Sequence, residues 1–393
     1  MARWLLPENL ADVLPRQAAA VEGARRELLD LFRGYGYELV MPPLLEHLDS
    51  LLTGTGGELG LHTFQLVDQL SGRMLGVRAD TTPQVARIDS HILDREGVSR
   101  LCYAGPVVHA RPLHPLASRE PLQVGAELYG EPGPLADAEI LELAVLSARR
   151  LGLERVQVDL GHSALVRILL AESGAPAGEV LDALRSRDPG ALDRALGAGS
   201  GAGVKGLRAL LSLHGGTEVI DRAGRALPDL PGISAALRDL ASLAGECGAD
   251  EVGVDLADPH GFRYHSGATF AIWVPGQPGP LLRGGRYDDI GAAFGRARPA
   301  TGFSILDLRD AVPWARCAPV GAIRAPLGGD ARLAGLVRSL RERGEIVVRL
   351  APGDGAAEGS GLRLDREIVE SGGTWVVRDC ATGGAGSGQR GAS

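Results

Sequence analysis

The sequence predicts an α+β fold: an antiparallel β-sheet flanked by helices, interrupted by a helical insertion and followed by a short α/β segment. Three textures carry that prediction. Strand-like stretches before residue 130 are joined by turn signals, as in hairpins, which favours an antiparallel sheet over a doubly wound one. Between 162 and 250, alanine, leucine and arginine recur at helical spacing. Strand-and-turn texture then returns over 251–312. The expected organisation is a core in two parts, 1–161 and 251–312, around an insertion at 162–250. A reduced α/β segment at 313–380 and a disordered tail at 381–393 complete it.

Taken in order, 16–33 places Val21, Ala24, Leu28, Leu31 and Phe32 at helical spacing, and Gly34 is a natural stop. A strand from Tyr37 ends at Pro42 and Pro43. Two short strands flank Ser71-Gly72, the signature of a hairpin. Thr81 or Thr82 caps a helix opened by Pro83. A strand over 100–112 pairs with one over 122–129, and a helix over 134–151 closes this part. The low-complexity run GAGSGAGVKG at 197–206 predicts a flexible loop inside the insertion. ARLAGLVRSLRERG reads as a helix, and EIVVRLA and GTWVVRDC as strands.

Composition limits the function. The chain has 393 residues, 45% hydrophobic and 23% charged, room for two or three soluble domains. Its net charge of −8 lacks the basic excess of a nucleic-acid binder. No apolar run is long enough to span a bilayer, and MARWLLPENL lacks the build of a signal peptide. Cys102, Cys247, Cys317 and Cys380 form no CxxC pair, so disulfides and thiolate zinc are not expected and a cytoplasmic location is. Lys205 is the sole lysine, which removes a P-loop and a Schiff base. No cofactor is expected.

The segment SREPLQVGAELYG (118–130) is the most informative. Alternation puts Gln123, Gly125, Glu127 and Tyr129 on one strand face, with Gln123 and Glu127 ~13 Å apart and a bare glycine floor between them. This is either the wet face of an edge strand or a floor for a small ligand. The turn Asp80-Thr-Thr-Pro is either a plain helix start or one that also offers N–H groups to a ligand carboxylate. Gly284-Gly285 reads as a hairpin turn. His109, His260 and His265 lack metal-ligand spacing and read as packed or surface histidines.

Six blocks in order resemble the catalytic core of class II aminoacyl-tRNA synthetases, in particular histidyl-tRNA synthetase. YELVMPPLLE resembles the first class II motif, with Pro43 at a dimer interface. RADTTPQVAR resembles the block that binds the histidine amino group, with Asp80 and Thr82 on its positions. QVGAE places Gln123 and Glu127 on histidine-binding positions. GFRYHSGATF resembles the second histidine block and retains Tyr264, with His265 at its second tyrosine. GGRYDDI and GFSILDLR follow, the latter ending in the third-motif arginine, Arg309. The class II fold is thereby implied.

The departures are equally specific. Where the second class II motif has a phosphate-binding arginine and a glutamate, this chain reads VVHARP. Continued alternation would put Val107, His109 and Arg111 on one face, leaving Arg111 to reach an anion one strand repeat, ~6.6 Å, away. An arginine that assists adenylate formation is replaced by His260. Phosphoryl chemistry relies on placed positive charge, so adenylation is not expected. Arg309, without its partner motif, reads as a surface or interface arginine. Fewer residues follow it than the about 100 an independent tRNA-reading domain needs.

A histidine pocket, a damaged adenylation site and a short tail together resemble the regulatory subunits of ATP phosphoribosyltransferase. That resemblance implies a non-catalytic subunit required for the first step of L-histidine biosynthesis and for feedback by histidine. It implies a short-form catalytic subunit as partner, self-dimerisation within a hetero-oligomer, and neither nucleic acid nor membrane. The histidine-binding set is expected to be Asp80, Thr82, Arg111, Gln123, Glu127, Tyr264 and His265, with Asp80 and Glu127 both on the α-ammonium. The alternative is a divergent histidyl-tRNA synthetase, or a ligase that adenylates a free amino acid.

Overall fold

The computed structural model describes residues 5–53, 56–262, 264–274, 279–351, 353–356 and 360–380. The disorder expected of 381–393 lies outside them. Two compact units form: the residues up to Asp12 together with Val21–Pro313, and Val13–Ala20 together with the residues from Trp314 onward.

α1 (Pro15–Gly34), which belongs to the larger unit from Val21 onward, buries Val21, Ala24, Leu28 and Phe32, four of its five expected apolar positions. The strand expected from Tyr37 shrinks to β1 (Glu38–Leu39). β2 (Leu45–His47) leads into the short α2 (Leu48–Leu51), and α3 (Gly56–His62) follows. β3 (Phe64–Val67) and β4 (Met74–Val77) form the expected hairpin, with Gly72 at φ 71° in its turn, and β4 also pairs with β2. α4 (Thr82–Arg87) begins at the predicted threonine–proline signal and runs on as a π-helical stretch, Ile88–Leu93.

β5 (Ser99–Pro106) and β6 (Leu122–Tyr129) pair antiparallel along eight residues. α5 (Pro134–Arg150) packs on the sheet, and β7 (Gln157–His162) leads into the insertion. The insertion comprises α6 (Ser163–Ser173), α7 (Ala177–Ser186), α8 (Pro189–Leu196), α9 (Ala202–Leu210), β8 (His214–Gly215), α10 (Glu218–Ala226) and α11 (Ile233–Glu246). β9 (Glu251–Asp255), β10 (Ala268–Trp273), β11 (Leu282–Arg286) and β12 (Ala300–Ile305) complete the large sheet, and α12 (Leu308–Ala311) follows it. The strand order is β1-β5-β6-β12-β11-β10-β7-β9-β8. From β5 to β7 all neighbours are antiparallel; β1 and β9 add in parallel.

Four sequence expectations change. β6 is the third strand of nine and is buried on both faces from Gln123 to Tyr129, so it is no wet edge. The strand expected over 100–112 stops at Pro106, and an isolated bridge between His109 and Thr63 lies beyond it. Val107 N on the Pro121 carbonyl and His109 N on the Arg119 carbonyl still keep the β5–β6 register past Pro106, with Val107 and His109 buried, and the alternation is lost only at Arg111, which is exposed. Gly284 and Gly285 lie inside β11, not in a turn. A side chain on Gly284 would strike Phe270, Phe303 and the Gly302 carbonyl, so the glycines permit close strand approach. Half of the supposed flexible loop is α9. Its Gly203 and Gly206 let it press on α6, where added Cβ atoms would come within 2.5 Å of Ser173 N and 2.3 Å of Leu169 Cδ2.

The smaller unit contains β13 (Val320–Pro326), α13 (Ala331–Glu342), β14 (Val347–Leu350), β15 (Leu362–Ser371) and β16 (Thr374–Asp379), in the sheet order β14-β13-β15-β16. α13, capped by Asp330, buries Leu333, Val337 and Leu340 against Ile323, Ala325, Val347 and Ile368. Its helix and two of its strands coincide with sequence expectations; β13 and β15 were not foreseen.

Candidate functional site

Residues opposite one another in a ladder share a face, so register alone builds the floor of the site. One row across the sheet runs Leu101, Glu127, Gly302, Gly285, Thr269 and Gly161. The next runs Tyr103, Gly125, Ser304, Arg283, Ala271 and Asp159. A third begins with Gly105 opposite Gln123. The glycines are not optional. A Cβ on Gly302 would sit 1.6 Å from Glu127 Oε2, and one on Gly125 would meet the Phe303 carbonyl at 2.4 Å and Tyr103 Oη at 2.5 Å.

Glu127 is 1% exposed. Thr82 Oγ1 donates to its Oε1 at 2.8 Å, Tyr103 Oη to the same oxygen at 3.3 Å, and Tyr287 Oη to Oε2. Ser304 Oγ in turn shares a hydrogen bond with Tyr103 Oη. No ion pair reaches Glu127 among the described residues. Desolvation, with some help from the charge of Asp80, pushes its carboxyl up to about 8 despite the three hydroxyls. Hydroxyl donors alone do not neutralise a buried carboxylate; a cation would.

Aromatic rings wall this end. Tyr264 and Tyr287 lie 5.0 Å apart between centroids at a 35° tilt, and Tyr264 meets His265 edge-on at 5.2 Å. Tyr264 Oη is buried without a hydrogen-bond partner among the described residues. Burial pushes its hydroxyl well above the ordinary range. His265 is driven down to about 4 by burial and is a neutral ring at neutral pH. Its side chain borders a cleft, partly open to solvent, that continues along the sheet past Thr269, Arg283, Asp258 and His260.

The other end is built on the turn before α4. Gln123 Oε1 accepts from Thr81 N at 3.1 Å and Thr81 Oγ1 at 3.0 Å, while Gln123 Nε2 donates to Asp80 Oδ1 at 3.3 Å. Asp80 also accepts from Thr81 N at 2.8 Å. Burial raises the Asp80 carboxyl. Thr81 stands at the cap of α4 but makes no side-chain cap bond; its hydroxyl goes to Gln123 instead. The N–H at this helix start is therefore taken by side chains. His109, 6% exposed, braces the turn through Nε2 on the Ala79 carbonyl at 3.0 Å, and burial lowers its pKa.

Of the seven expected site residues, the structure brings Asp80, Thr82, Gln123, Glu127, Tyr264 and His265 to this face. Arg111 is exposed, past the end of β5. Tyr103, Thr81, Ser304 and Tyr287 were missed. Tyr287 belongs to the GGRYD block and needed only a role; Tyr103 shares a face with Gly105 at period two, but nothing in the sequence fixes which face that is. Arg286 beside Tyr287 is anchored by Asp137 of α5 at 2.9 Å and by Asp288 at 3.1 Å, which holds the tyrosine in place. Arg309 is paired with Asp307 at 2.8 Å and donates to Ser118 Oγ at 2.7 Å. Among the described residues no group of three or more His, Cys, Asp or Glu side chains is placed to hold a metal ion.

Comparison with known proteins shows the family and the fold. The family model for histidyl-tRNA synthetase matches residues 9–310, and that for the ATP phosphoribosyltransferase subunit HisZ C-terminal domain matches 320–378. An ATP phosphoribosyltransferase regulatory subunit from Ralstonia nicotianae is 52% identical over 386 residues, covering 96% of this chain and 98% of that protein. One from Variovorax paradoxus is also 52% identical over 386 residues, covering 96% and 100%. A Bacillus halodurans crystal structure described as an ATP phosphoribosyltransferase regulatory subunit/histidyl-tRNA synthetase superposes with a TM-score of 0.79 at 25% identity, covering 91% of this chain and 96% of the other. A histidyl-tRNA synthetase from a Nostoc species shares the fold, with a TM-score of 0.74 at 16% identity, covering 94% and 92%.

Proposed function

The chain belongs to the family of ATP phosphoribosyltransferase regulatory subunits, and from that premise we propose that it senses free L-histidine on the face described above. Its role in histidine biosynthesis is regulatory, and it works with a catalytic ATP phosphoribosyltransferase subunit. The observation that carries the sensing role is Glu127: a buried carboxylate held by three hydroxyls and no cation, beside two stacked tyrosine rings.

The two carboxylates divide the ligand between them. Asp80 and Thr82, which anchor the two ends, are two residues apart, at most ~7.6 Å between Cα atoms. The α-ammonium goes to Asp80 and the Gln123 amide oxygen. The imidazole goes to Glu127 between Tyr264, Tyr287 and His265, where the orphan Tyr264 hydroxyl gains a partner. This replaces the expectation that both acids share the ammonium. Arg111 has no part in it.

Adenylation by this chain is not proposed. Arg309, the third-motif arginine, is not the surface or interface arginine expected but is half-buried and paired with Asp307, and Arg111 is exposed past the end of β5. The partner we assign is a short-form catalytic subunit in the cytoplasm. Exposed Leu39, Met41, Leu44 and Leu45 around the first-motif strand, Met41 at 79%, support self-association there.

The test is to add the purified chain to a short-form catalytic subunit and follow phosphoribosyl-ATP formation with and without histidine. Stimulation by the chain, reversed by histidine, is expected. Stimulation that histidine leaves untouched would refute the sensing role, and histidine-dependent exchange of pyrophosphate into ATP would favour a ligase.

A further inference from the structure

The site as described leaves the ligand's α-carboxylate without a partner. The start of α4 is not available, because the Thr81 N–H is taken by Asp80 and Gln123 and the helix is only six residues long. Among the nearby cations, Arg309 is paired with Asp307, Arg119 lies over the Phe64 ring, Arg111 is exposed, and burial disfavours a charge on His109.

Arg78 differs from all of these. It sits two residues before Asp80 and is 5% exposed. Its Nε donates to the Pro106 carbonyl at 2.8 Å and its Nη1 to the Pro42 carbonyl at 2.9 Å. Among the described residues no acid is in ion-pair distance of it, and Nη2 has no hydrogen-bond partner. Two neutral carbonyls fix the guanidinium, and Glu46, the acid that acts on it through space, is itself paired with Arg87. A buried cation in that state calls for an anion.

The place of Nη2 is set by Gly105. A Cβ on Gly105 would lie 2.5 Å from Nη2, so the guanidinium occupies the space above this glycine. Gly105 faces Gln123 directly across the β5–β6 ladder, on the ligand side. The free nitrogen therefore stands beside the Gln123–Asp80 pair. An α-carboxylate is bonded to the same carbon as the ammonium, so a group that holds one must be adjacent to the group that holds the other.

We propose that Arg78 binds the α-carboxylate of the amino acid through Nη2 and makes the site selective for free amino acids over analogues that lack the carboxylate. This rests on the histidine reading above. A charge-assisted hydrogen bond at such a position corresponds to at least about a tenfold preference.

Calorimetry on the full chain with histidine and with histidinol, in which a neutral hydroxymethyl replaces the carboxylate, tests it. The unaltered chain is expected to prefer histidine at least tenfold. Arg78→Gln should reduce that preference to nearly one by weakening histidine alone, with histidinol affinity changed less than about twofold. A residue that only shapes the turn would weaken both ligands equally, and that result would overturn the proposal. So would equal binding of the two ligands by the unaltered chain. Gly105→Ala covers the case in which Arg78→Gln fails to fold: its methyl displaces Nη2 and should erode the preference in the same direction, and an unchanged preference would count against the proposal. A chain that binds neither ligand refutes the histidine reading itself.

Discussion

Thr82 Oγ1 donates to Glu127 Oε1 at 2.8 Å, fastening the first residue of α4 to the penultimate position but one of β6, 45 residues away in sequence. The contact ties the two halves of the site together, since Asp80, in the turn just before α4, is bonded to Gln123 of β6. A ligand held at both ends thus bridges a helix start and a strand, and its grip depends on both.

Replacing Glu127 tests the deeper end. If the ring of histidine pairs with this carboxylate, Glu127→Ala should weaken histidine binding by at least tenfold, since a charge-assisted hydrogen bond in a desolvated site contributes ~1.5–3 kcal/mol. Titration calorimetry reads the change directly. Equal affinity in the variant would remove Glu127 from the site.

The same carboxyl predicts a pH dependence of stability. Its folded pKa, about 8, exceeds the ordinary 4.5, so the folded state holds the proton more tightly. The resulting stabilisation is complete below pH 4.5 and is lost as pH rises towards 8. His265 has the opposite sign: lowered from 6.5 to about 4, it makes the fold more stable as pH rises through that window. The two oppose each other between 4.5 and 6.5, and above 6.5 Glu127 acts without His265. Urea unfolding without ligand from pH 6.5 to 8 should show a decline that Glu127→Gln abolishes. Parallel profiles for the two proteins would contradict the assignment.

Much of this site was legible because its chemistry is local in sequence. Asp80 and Thr82 belong to one turn, and Gln123 and Glu127 to one strand whose alternation is plain. What the sequence hid was depth. Alternation in β6 looks the same for an edge strand and for the third strand of nine, because apolar Val124, Ala126 and Leu128 face one layer and the polar residues face a second that also excludes water. Glycines misled for a related reason. Gly203, Gly206, Gly284 and Gly285 read as loop or turn, yet each is small so that a neighbouring element can approach. VVHARP alternates as a strand would, and Val107 and His109 do bond to Pro121 and Arg119 in the β5–β6 register, but Ala110 turns to the His62 carbonyl and Arg111 is left exposed.

Gly302 offers a sharper test of that close packing. Its Cβ would overlap Glu127 Oε2 at 1.6 Å and approach the Ala126 carbonyl at 2.7 Å. Gly302→Ala should cost ~1–3 kcal/mol through overpacking and abolish measurable histidine binding by expelling the carboxylate. Gly23→Ala, in the interior of α1 with nothing within 4 Å of its new methyl, should instead stabilise by up to ~1 kcal/mol. Thermal unfolding of both variants beside the parent checks the contrast.

Arg309 should matter for stability and not for the ligand. Asp307, 10% exposed at its side chain, pairs with this guanidinium while accepting from Leu122 N at 3.1 Å and Arg309 N at 3.0 Å. Arg309→Ala leaves the acid with backbone donors alone and should cost ~1–3 kcal/mol by denaturant titration. Histidine affinity should stay within about twofold. A large loss of affinity at unchanged stability would mean that the third-motif arginine still serves the pocket.

Feedback requires that histidine binding here and catalysis in the partner subunit share one free energy. If histidine favours an assembly in which the catalytic subunit binds its substrates less well, the substrates must weaken histidine by the same factor, because binding linkage is reciprocal. A coupling of 1–3 kcal/mol corresponds to ~5–150-fold. Histidine affinity measured on the assembled complex should therefore fall when ATP or phosphoribosyl pyrophosphate saturates the catalytic subunit, and should not change when either is added to this chain alone. An effect on the isolated chain would point to a nucleotide site of its own. Equal histidine affinity in the complex with and without substrates would mean that the pocket binds histidine without transmitting it.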